Sequence, residues 1–174
     1  MSYLPCELHC HTVHSDGDFT VAELQKAAAD DHLAIMALTD HNTFSGWDEL
    51  DDNIIPAIRG IEWTTYFGHM LVLGANDFVD WRDAQPDNID EKIKQVKAVG
   101  GIVGIAHPYQ LGSPLCTGGR WEFNVRDWRN VDYIEVWHQN LYSAKRENER
   151  ALESWTSLLD KGYKIASTYG RDWH

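Results

Sequence analysis

Apolar runs alternate with amphipathic stretches along the chain. The runs are four to six residues long and are bounded by turn residues or by polar residues. Segments of this length and composition are typical of β-strands rather than helices. The predicted strands cover residues 7–11, 34–38, 56–61, 70–73, 102–106, 133–137 and 164–169.

Helical periodicity lies between several of these runs. Thr20 and Glu23 match a capping box that opens a helix ending near Asp31. A short helix is predicted over 45–50. Two later helices are predicted from apolar residues that share one face, namely Ile89, Ile93 and Val96 before Gly100, and Ala151, Leu152, Trp155, Leu158 and Leu159 before Gly162. Strands that alternate with helices predict an α/β fold with a parallel sheet.

Side chains that commonly bind metals stand at the ends of the predicted strands. Residues i and i+2 of a strand face the same side, so His9 and His11 point together while Cys10 points away, under a covering helix. The same alternation pairs Asp172 with His174. The other candidates adjoin later strands: His41, Glu62, His69 and His107. A closed or nearly closed barrel would bring them together, whereas an open sheet would spread them, so the pattern predicts a multinuclear metal site in a barrel.

Composition limits the class of protein. With 174 residues, 43% of them hydrophobic, and eight tryptophans, the chain can form a sizeable core, and we expect one domain over 1–174. The net charge of −12 opposes a stable nucleic acid complex and binding to an anionic membrane. The chain lacks an apolar run near a membrane span or a basic leader, and its three cysteines lack CxxC spacing. We therefore expect a cytoplasmic protein with reduced thiols.

The chain resembles the PHP (polymerase and histidinol phosphatase) metallohydrolases over essentially its whole length. Six motifs carry the resemblance in the family's order: His9-Cys10-His11-Thr12 with Ser15-Asp16-Gly17, Thr39-Asp40-His41-Asn42, Gly60-Ile61-Glu62, Gly68-His69, Ala106-His107-Pro108 and residues 170–174. The family implies a distorted TIM-like (β/α)7 barrel. About six strand–helix units are visible, so either the barrel is incomplete at its C-terminus or a further part follows His174. Residues 60–69 also resemble the branch that contains carbaryl hydrolase, labelled CehA/McbA-like.

The resemblance implies two to three divalent ions. Carried over by position, the ligands of the first ion are His9, His11, Glu62 and Asp172; those of the second are His69, His107 and a bridging Glu62; those of the third are Asp16, His41 and His174. Imidazole and carboxylate ligands suit zinc, manganese or iron.

The implied activity is that of a metal-dependent hydrolase whose nucleophile is a hydroxide between the ions. The superfamily implies a phosphoesterase that acts on a small-molecule or nucleotide phosphate ester. The nearer branch implies the alternative, hydrolysis of a carboxylic or carbamate ester. A noncatalytic metal-binding PHP module is a third hypothesis, and it would require a missing ligand, whereas every ligand position is filled.

Several further residues are candidates for catalysis or for contact with the substrate. Asp16 and Glu62 are predicted to be catalytic as metal ligands, and Arg171 as a cation beside nonbridging phosphate oxygens, with an outward salt bridge as its alternative. The candidate substrate contacts are His14, His138, Arg171 and Trp121. Trp121 lies in a long irregular segment, 110–129, where it could stack on an aromatic leaving group or pack that segment against the barrel. Glu135 is mid-strand, and roles in lining the barrel and at a solvated end are both open.

Overall fold

Seven strands form one sheet in chain order in the computed structural model, which describes residues 3–112, 118–139 and 144–174. They are β1 (Cys6–Glu7), β2 (Ile35–Leu38), β3 (Ala57–Thr65), β4 (Gly68–Leu73), β5 (Ile102–Ile105), β6 (Tyr133–His138) and β7 (Ala166–Gly170). The mixed α/β class is confirmed. The first strand is shorter than predicted, because regular pairing stops at Glu7 and resumes only as a single bridge at Cys10.

One strand runs against the others. β4 is antiparallel to both β3 and β5, whereas every other neighbouring pair is parallel, so the prediction of a wholly parallel sheet is wrong at β4. β3 and β4 are joined by a tight turn, which permits only antiparallel pairing. As a result, the start of β4 lies at the same end of the barrel as the ends of the other strands. This direction explains why His69 is the second residue of β4, whereas Glu62 lies in the second half of β3 and His107 follows β5.

The two ends of the chain nearly close the barrel. Cys10 and Trp173 form a parallel bridge, in which the His11 N–H donates to the Trp173 carbonyl at 2.8 Å and the Trp173 N–H donates to the His9 carbonyl at 3.2 Å. The Cys10 carbonyl accepts a further bond from the Thr39 N–H at 3.0 Å. The segment 9–11 is therefore held between β2 and the segment after β7, and the predicted TIM-like barrel is confirmed.

Three α-helices lie outside the sheet in the described residues: α1 (Val21–Asp30), α2 (Ile89–Ala98) and α3 (Lys145–Asp160). The capping box of α1 is confirmed in both directions between Thr20 and Glu23. The predicted helix over 45–50 is instead a single 3₁₀ turn, Trp47–Glu49. None of the described helices is long and apolar enough to cross a membrane.

The apolar core lies mainly between the sheet and its covering layer. Cys10 packs with Val21 and Leu24 of α1, which confirms that it points away from its histidine neighbours. Inside the barrel, Leu71 and Tyr133 belong to a small apolar cluster that fills the end opposite the candidate ligands. The remaining interior is polar. Cys6 and Cys10 are free thiols, and Cys116 lies outside the described residues.

Candidate metal centre

The strand ends bring the nine predicted metal ligands into one cluster. It contains six imidazoles and three carboxylates: His9, His11, Asp16, His41, Glu62, His69, His107, Asp172 and His174. The side chains of His9, His11 and Glu62 are fully buried, whereas the Asp16 side chain is 57% exposed. The cluster therefore extends from the barrel interior to a rim that solvent can reach.

Glu62 lies at the centre of this cluster. β3 turns Ile61 and Trp63 outward into the apolar core, so the carboxylate between them faces the barrel axis. Its two oxygens face five imidazole nitrogens. Oε2 is 2.8 Å from His41 Nδ1, 3.3 Å from His9 Nε2 and 3.4 Å from His11 Nε2. Oε1 is 3.0 Å from His69 Nδ1 and 3.2 Å from His107 Nε2. A carboxylate with partners on both oxygens is placed to bridge ions.

Electrostatics keep this carboxylate ionised. Burial raises the pKa of Glu62, but charge on His9 and hydrogen bonds from His107, His41 and His69 outweigh it and hold the pKa well below its ordinary value. Burial likewise lowers the pKa of His9, yet the carboxylates of Glu135, Glu62 and Asp172 raise it well above the ordinary value. The pocket therefore favours positive charge among its carboxylates, and divalent cations can supply that charge in place of protons.

The ligands predicted for the first ion form one compact group. Donor atoms of His9, His11, Glu62 and Asp172 all lie within 4.8 Å of one another. Asp172 Oδ1 is 3.2 Å from His9 Nε2 and 3.1 Å from His11 Nε2. The backbone of Asp172 has a φ of +51°, a left-handed conformation that is uncommon outside glycine.

The ligands predicted for the third ion meet at the rim. Asp16 Oδ1 is 3.3 Å from His174 Nε2 and 3.5 Å from His41 Nε2. Donor atoms of this trio and of His11 all lie within 4.8 Å of one another. That His11 adjoins two groups could not be predicted from the sequence, because strand alternation indicates which way a ring points but not what faces each of its nitrogens.

The ligands predicted for the second ion converge on a single oxygen. His69 and His107 both contact Glu62 Oε1, and donor atoms of His41, Glu62 and His69 lie within 4.8 Å of one another. His107 follows β5 with a φ of +22°, so the chain turns sharply there and directs the ring inward.

The chemistry of these residues fits divalent cations. Buried atoms that have no hydrogen-bond partner in the described part of the chain include His9 Nε2, His11 Nδ1 and His107 Nδ1. Leaving such groups unsatisfied costs about 1–3 kcal/mol each, more for charged groups. Metal coordination would use these lone pairs, and mixed imidazole and carboxylate ligands suit zinc, manganese or iron.

Glu135 supports the cluster from behind. Its Oε1 is 2.9 Å from His9 Nδ1, and its Oε2 accepts the backbone N–H of His107 at 3.0 Å. The carboxylate also lies against Gly170, where it occupies the space that a Cβ would need. Of its two open roles, Glu135 therefore has the one inside the barrel. An acid within an apolar strand was the only sequence signal for it.

Glu135→Gln is expected to lower metal affinity by about 10–100-fold, the usual cost of losing a group that orients a ligand histidine. The amide cannot accept from His9 and His107 with the strength of a carboxylate. Zinc titration of the metal-free protein measures the change, and the exposed Glu122→Gln serves as a control. An unchanged zinc affinity in the Glu135 variant would rule out this role.

Asp40 organises the loop that carries Asp16. Its carboxylate accepts the Thr12 N–H at 2.7 Å, the Thr12 hydroxyl at 2.8 Å and the Ser15 hydroxyl at 2.6 Å. The carboxylate thus fixes residues 12–15 at the rim beside Asp16.

Two predicted residues point out of the cluster. Arg171 pairs with Asp31 at 2.9 Å and Glu7 at 3.5 Å and stacks over Trp173. These contacts favour the outward salt bridge over the predicted catalytic and substrate-binding role. His14 is held by Ser45 Oγ and the Glu49 carboxylate, both at 2.8 Å, and within the described residues its ring makes no hydrogen bond to a candidate ligand.

The other two substrate candidates lie deeper. Trp121 packs 5.0 Å from the Phe123 ring and bonds through its backbone to Pro108, which favours packing over stacking on a substrate. His138 lies beside His107, and burial together with that neighbour lowers the pKa of His138 to about 4. Part of the predicted irregular segment, 113–117, lies outside the described residues.

Known proteins share this fold and part of the sequence. A family model described as "PHP domain" matches residues 7–103. The uncharacterized protein MJ1295 of Methanocaldococcus jannaschii is 31% identical over 110 residues, which are 63% of this chain and 48% of that protein. The chain therefore spans about half the length of this curated relative.

Two solved structures superpose over nearly the whole chain. One is a protein from Bifidobacterium adolescentis to which metal-dependent phosphoesterase activity is attributed. It superposes with a TM-score of 0.66 and 20% identity, and the match covers 99% of this chain and 88% of that one. The other is a two-domain protein from Bacteroides vulgatus that contains a predicted PHP-like metal-dependent phosphoesterase, with a TM-score of 0.69, 22% identity and coverage of 98% and 52%. At these identities the likeness establishes the fold.

Proposed function

The chain belongs to the PHP domain family, and on this premise we propose that it is a metal-dependent hydrolase that cleaves phosphate esters of small molecules or nucleotides. The observation that carries the proposal is the buried Glu62 carboxylate, which faces five imidazoles within 3.4 Å. An intact set of ligands argues against a noncatalytic module. The attributed activity of the two structural neighbours supports the choice of a phosphate ester.

Two to three divalent ions, zinc, manganese or iron, fit the cluster, and when bound they would activate water and stabilise negative charge on the ester. The residues of the chain divide the remaining tasks. Glu62, Asp172 and the buried histidines hold the inner positions, while Asp16, His41 and His174 form the rim. Glu135 accepts from His9 Nδ1, which leaves Nε2 free to face Glu62 and Asp172.

The exposed rim gives the substrate its approach. Asp16 is 57% exposed, and the His174 side chain beside it is 37% exposed, whereas the inner carboxylates are almost fully covered. A small ester can therefore reach the cluster from the side of Asp16 while the apolar core excludes water from the opposite side of β3.

One observation favours a second candidate, hydrolysis of a carboxylic or carbamate ester, as in the carbaryl-hydrolase-like branch. The ion pairs of Glu62, Asp172 and Asp16 within the described residues are all with histidines, and Arg171 points away. A phosphate dianion would therefore rely on the metals for neutralisation, whereas an uncharged ester has no such requirement.

Removing the metals is expected to abolish hydrolysis, and adding zinc, manganese or iron to the chelated protein is expected to restore it. Parallel assays with aryl phosphates, aryl carboxylic esters and aryl carbamates distinguish the two candidates. Metal-dependent turnover of the phosphates alone would support the first proposal, and turnover of the esters or carbamates alone would support the second. Absence of metal-dependent turnover on all three classes would contradict both.

A further inference from the structure

His138 is a buried histidine without a task in the cluster described so far. It ends β6, its side chain is only 4% exposed, and neither ring nitrogen has a hydrogen-bond partner among the described residues. A neutral imidazole has one donor and one acceptor, and burying both unsatisfied is costly. Such a group needs a partner that the described part of the chain does not supply.

The ring lies at the edge of the metal cluster. Its centroid is 5.7 Å from that of His107. The candidate ligands are spaced alike, since His9 and His107 are 5.7 Å apart and His69 and His107 are 5.0 Å apart. His138 therefore extends the series of imidazoles by one member beyond His107, whose own Nδ1 is buried without a hydrogen-bond partner in the described chain.

The backbone holds His138 in this position. Asn148, which is fully buried in α3, accepts the His138 N–H at 3.1 Å and donates to the His138 carbonyl at 3.2 Å. The pairing of β6 with β7 shifts register between Glu135 and Trp137, an irregularity of the kind that redirects a side chain. Gln139 then leaves the strand with a φ of +49°. These features hold the backbone at His138, and the burial of its side chain beside His107 places the ring next to the cluster.

We propose that His138 is a further metal ligand, which adds an imidazole to the cluster at its His107 edge. The inference rests on the metal centre of the proposed function and not on its substrate. Deep burial favours this role over the contact with substrate that the sequence suggested, because an ion can occupy a position between two buried rings that an ester could not reach. Burial without partners is also the condition in which imidazole nitrogens are free to coordinate.

His138→Asn tests the proposal by zinc titration of the metal-free protein. The amide keeps a polar side chain of smaller size but removes the imidazole. Loss of a residue that only orients a metal ligand weakens metal binding by about 10–100-fold. We therefore expect the loss of a direct ligand to weaken the binding of one zinc ion at least about tenfold. The affinity of the other ions should be unchanged. His32→Asn, at an exposed histidine with a φ of +60° that asparagine tolerates, is the matched control.

A second measurement covers the case in which the variant does not fold. In the wild-type chain labelled with ¹⁵N-histidine, zinc is expected to shift a ring nitrogen of His138 as it shifts those of His69 and His107. Unchanged zinc binding by a folded variant, or an unshifted His138 ring, would overturn the proposal. Zinc binding and turnover fail separately: a chain that binds zinc through His138 but hydrolyses no ester contradicts only the proposed function.

Discussion

Glu62→Gln is expected to lower turnover by about a thousandfold or more and to reduce the number of ions that the protein binds. The glutamine keeps the size of the side chain but loses the negative charge and one of the two acceptors. Both oxygens of the glutamate face imidazoles of different groups, so one substitution affects more than one ion. A thousandfold corresponds to about 4 kcal/mol of transition-state stabilisation, which matches the several kcal/mol that metal catalysis provides.

The measurement combines metal content with steady-state kinetics on the ester that the wild type hydrolyses. Glu153→Gln, at an exposed position of α3, makes the same chemical change away from the cluster and should alter neither quantity. Retention of the full metal content and of wild-type turnover by the Glu62 variant would remove Glu62 from the centre of the site and contradict the proposed function.

These candidate ligands could be predicted from the sequence because strand alternation and strand ends determine where a side chain points. His9 and His11 illustrate this best. The regular strand stops at Glu7, yet the single bridge at Cys10 keeps the alternation, so both rings face inward and Cys10 packs under α1. The direction of a side chain depends only on local backbone geometry. Residues 9–11 keep that geometry although they are not part of a regular strand.

Other features depended on contacts between distant segments. The orientation of Arg171 is determined by Asp31, at the end of α1, and by Glu7, and neither pairing leaves a trace in the local pattern. The support that Glu135 gives to His9 and His107 likewise requires the order of the strands around the barrel. The direction of β4 follows from the tight turn after β3. The apolar pattern of a strand does not indicate whether it pairs in parallel or antiparallel.

The candidate metal site and the near-closure of the barrel are built by the same segments. The segment after β7 closes the barrel through backbone bonds of Trp173 to His9 and His11, and the residues on either side of Trp173 deliver a carboxylate and an imidazole to the cluster. Metals bound there would connect the first and last segments, and their binding free energy would add to folding stability. Thermal unfolding of the protein and release of its metals should therefore occur in one transition.

Asp172→Asn is expected to remove one ion and to lower turnover by at least about a hundredfold, or roughly 3 kcal/mol. Asp172 Oδ1 contacts His9 Nε2 and His11 Nε2, and its side chain is only 7% exposed. Burial raises the pKa of Asp172, but His9, His11 and His107 outweigh it and hold the pKa below its ordinary range, so the group is ionised at neutral pH. The amide removes this charge while leaving the backbone bonds of Trp173 in place.

The same variant separates loss of metal from loss of the barrel. The first and last segments are joined by backbone hydrogen bonds of Trp173, so the metal-free variant should still fold. Zinc should raise the melting temperature of the variant by less than it raises that of the wild type. Thermal melts with and without zinc, together with metal content, measure both effects, and Asp160→Asn on exposed α3 is the charge-matched control. If the variant kept the full zinc-dependent rise in melting temperature, the group formed by Asp172, His9, His11 and Glu62 would not hold an ion.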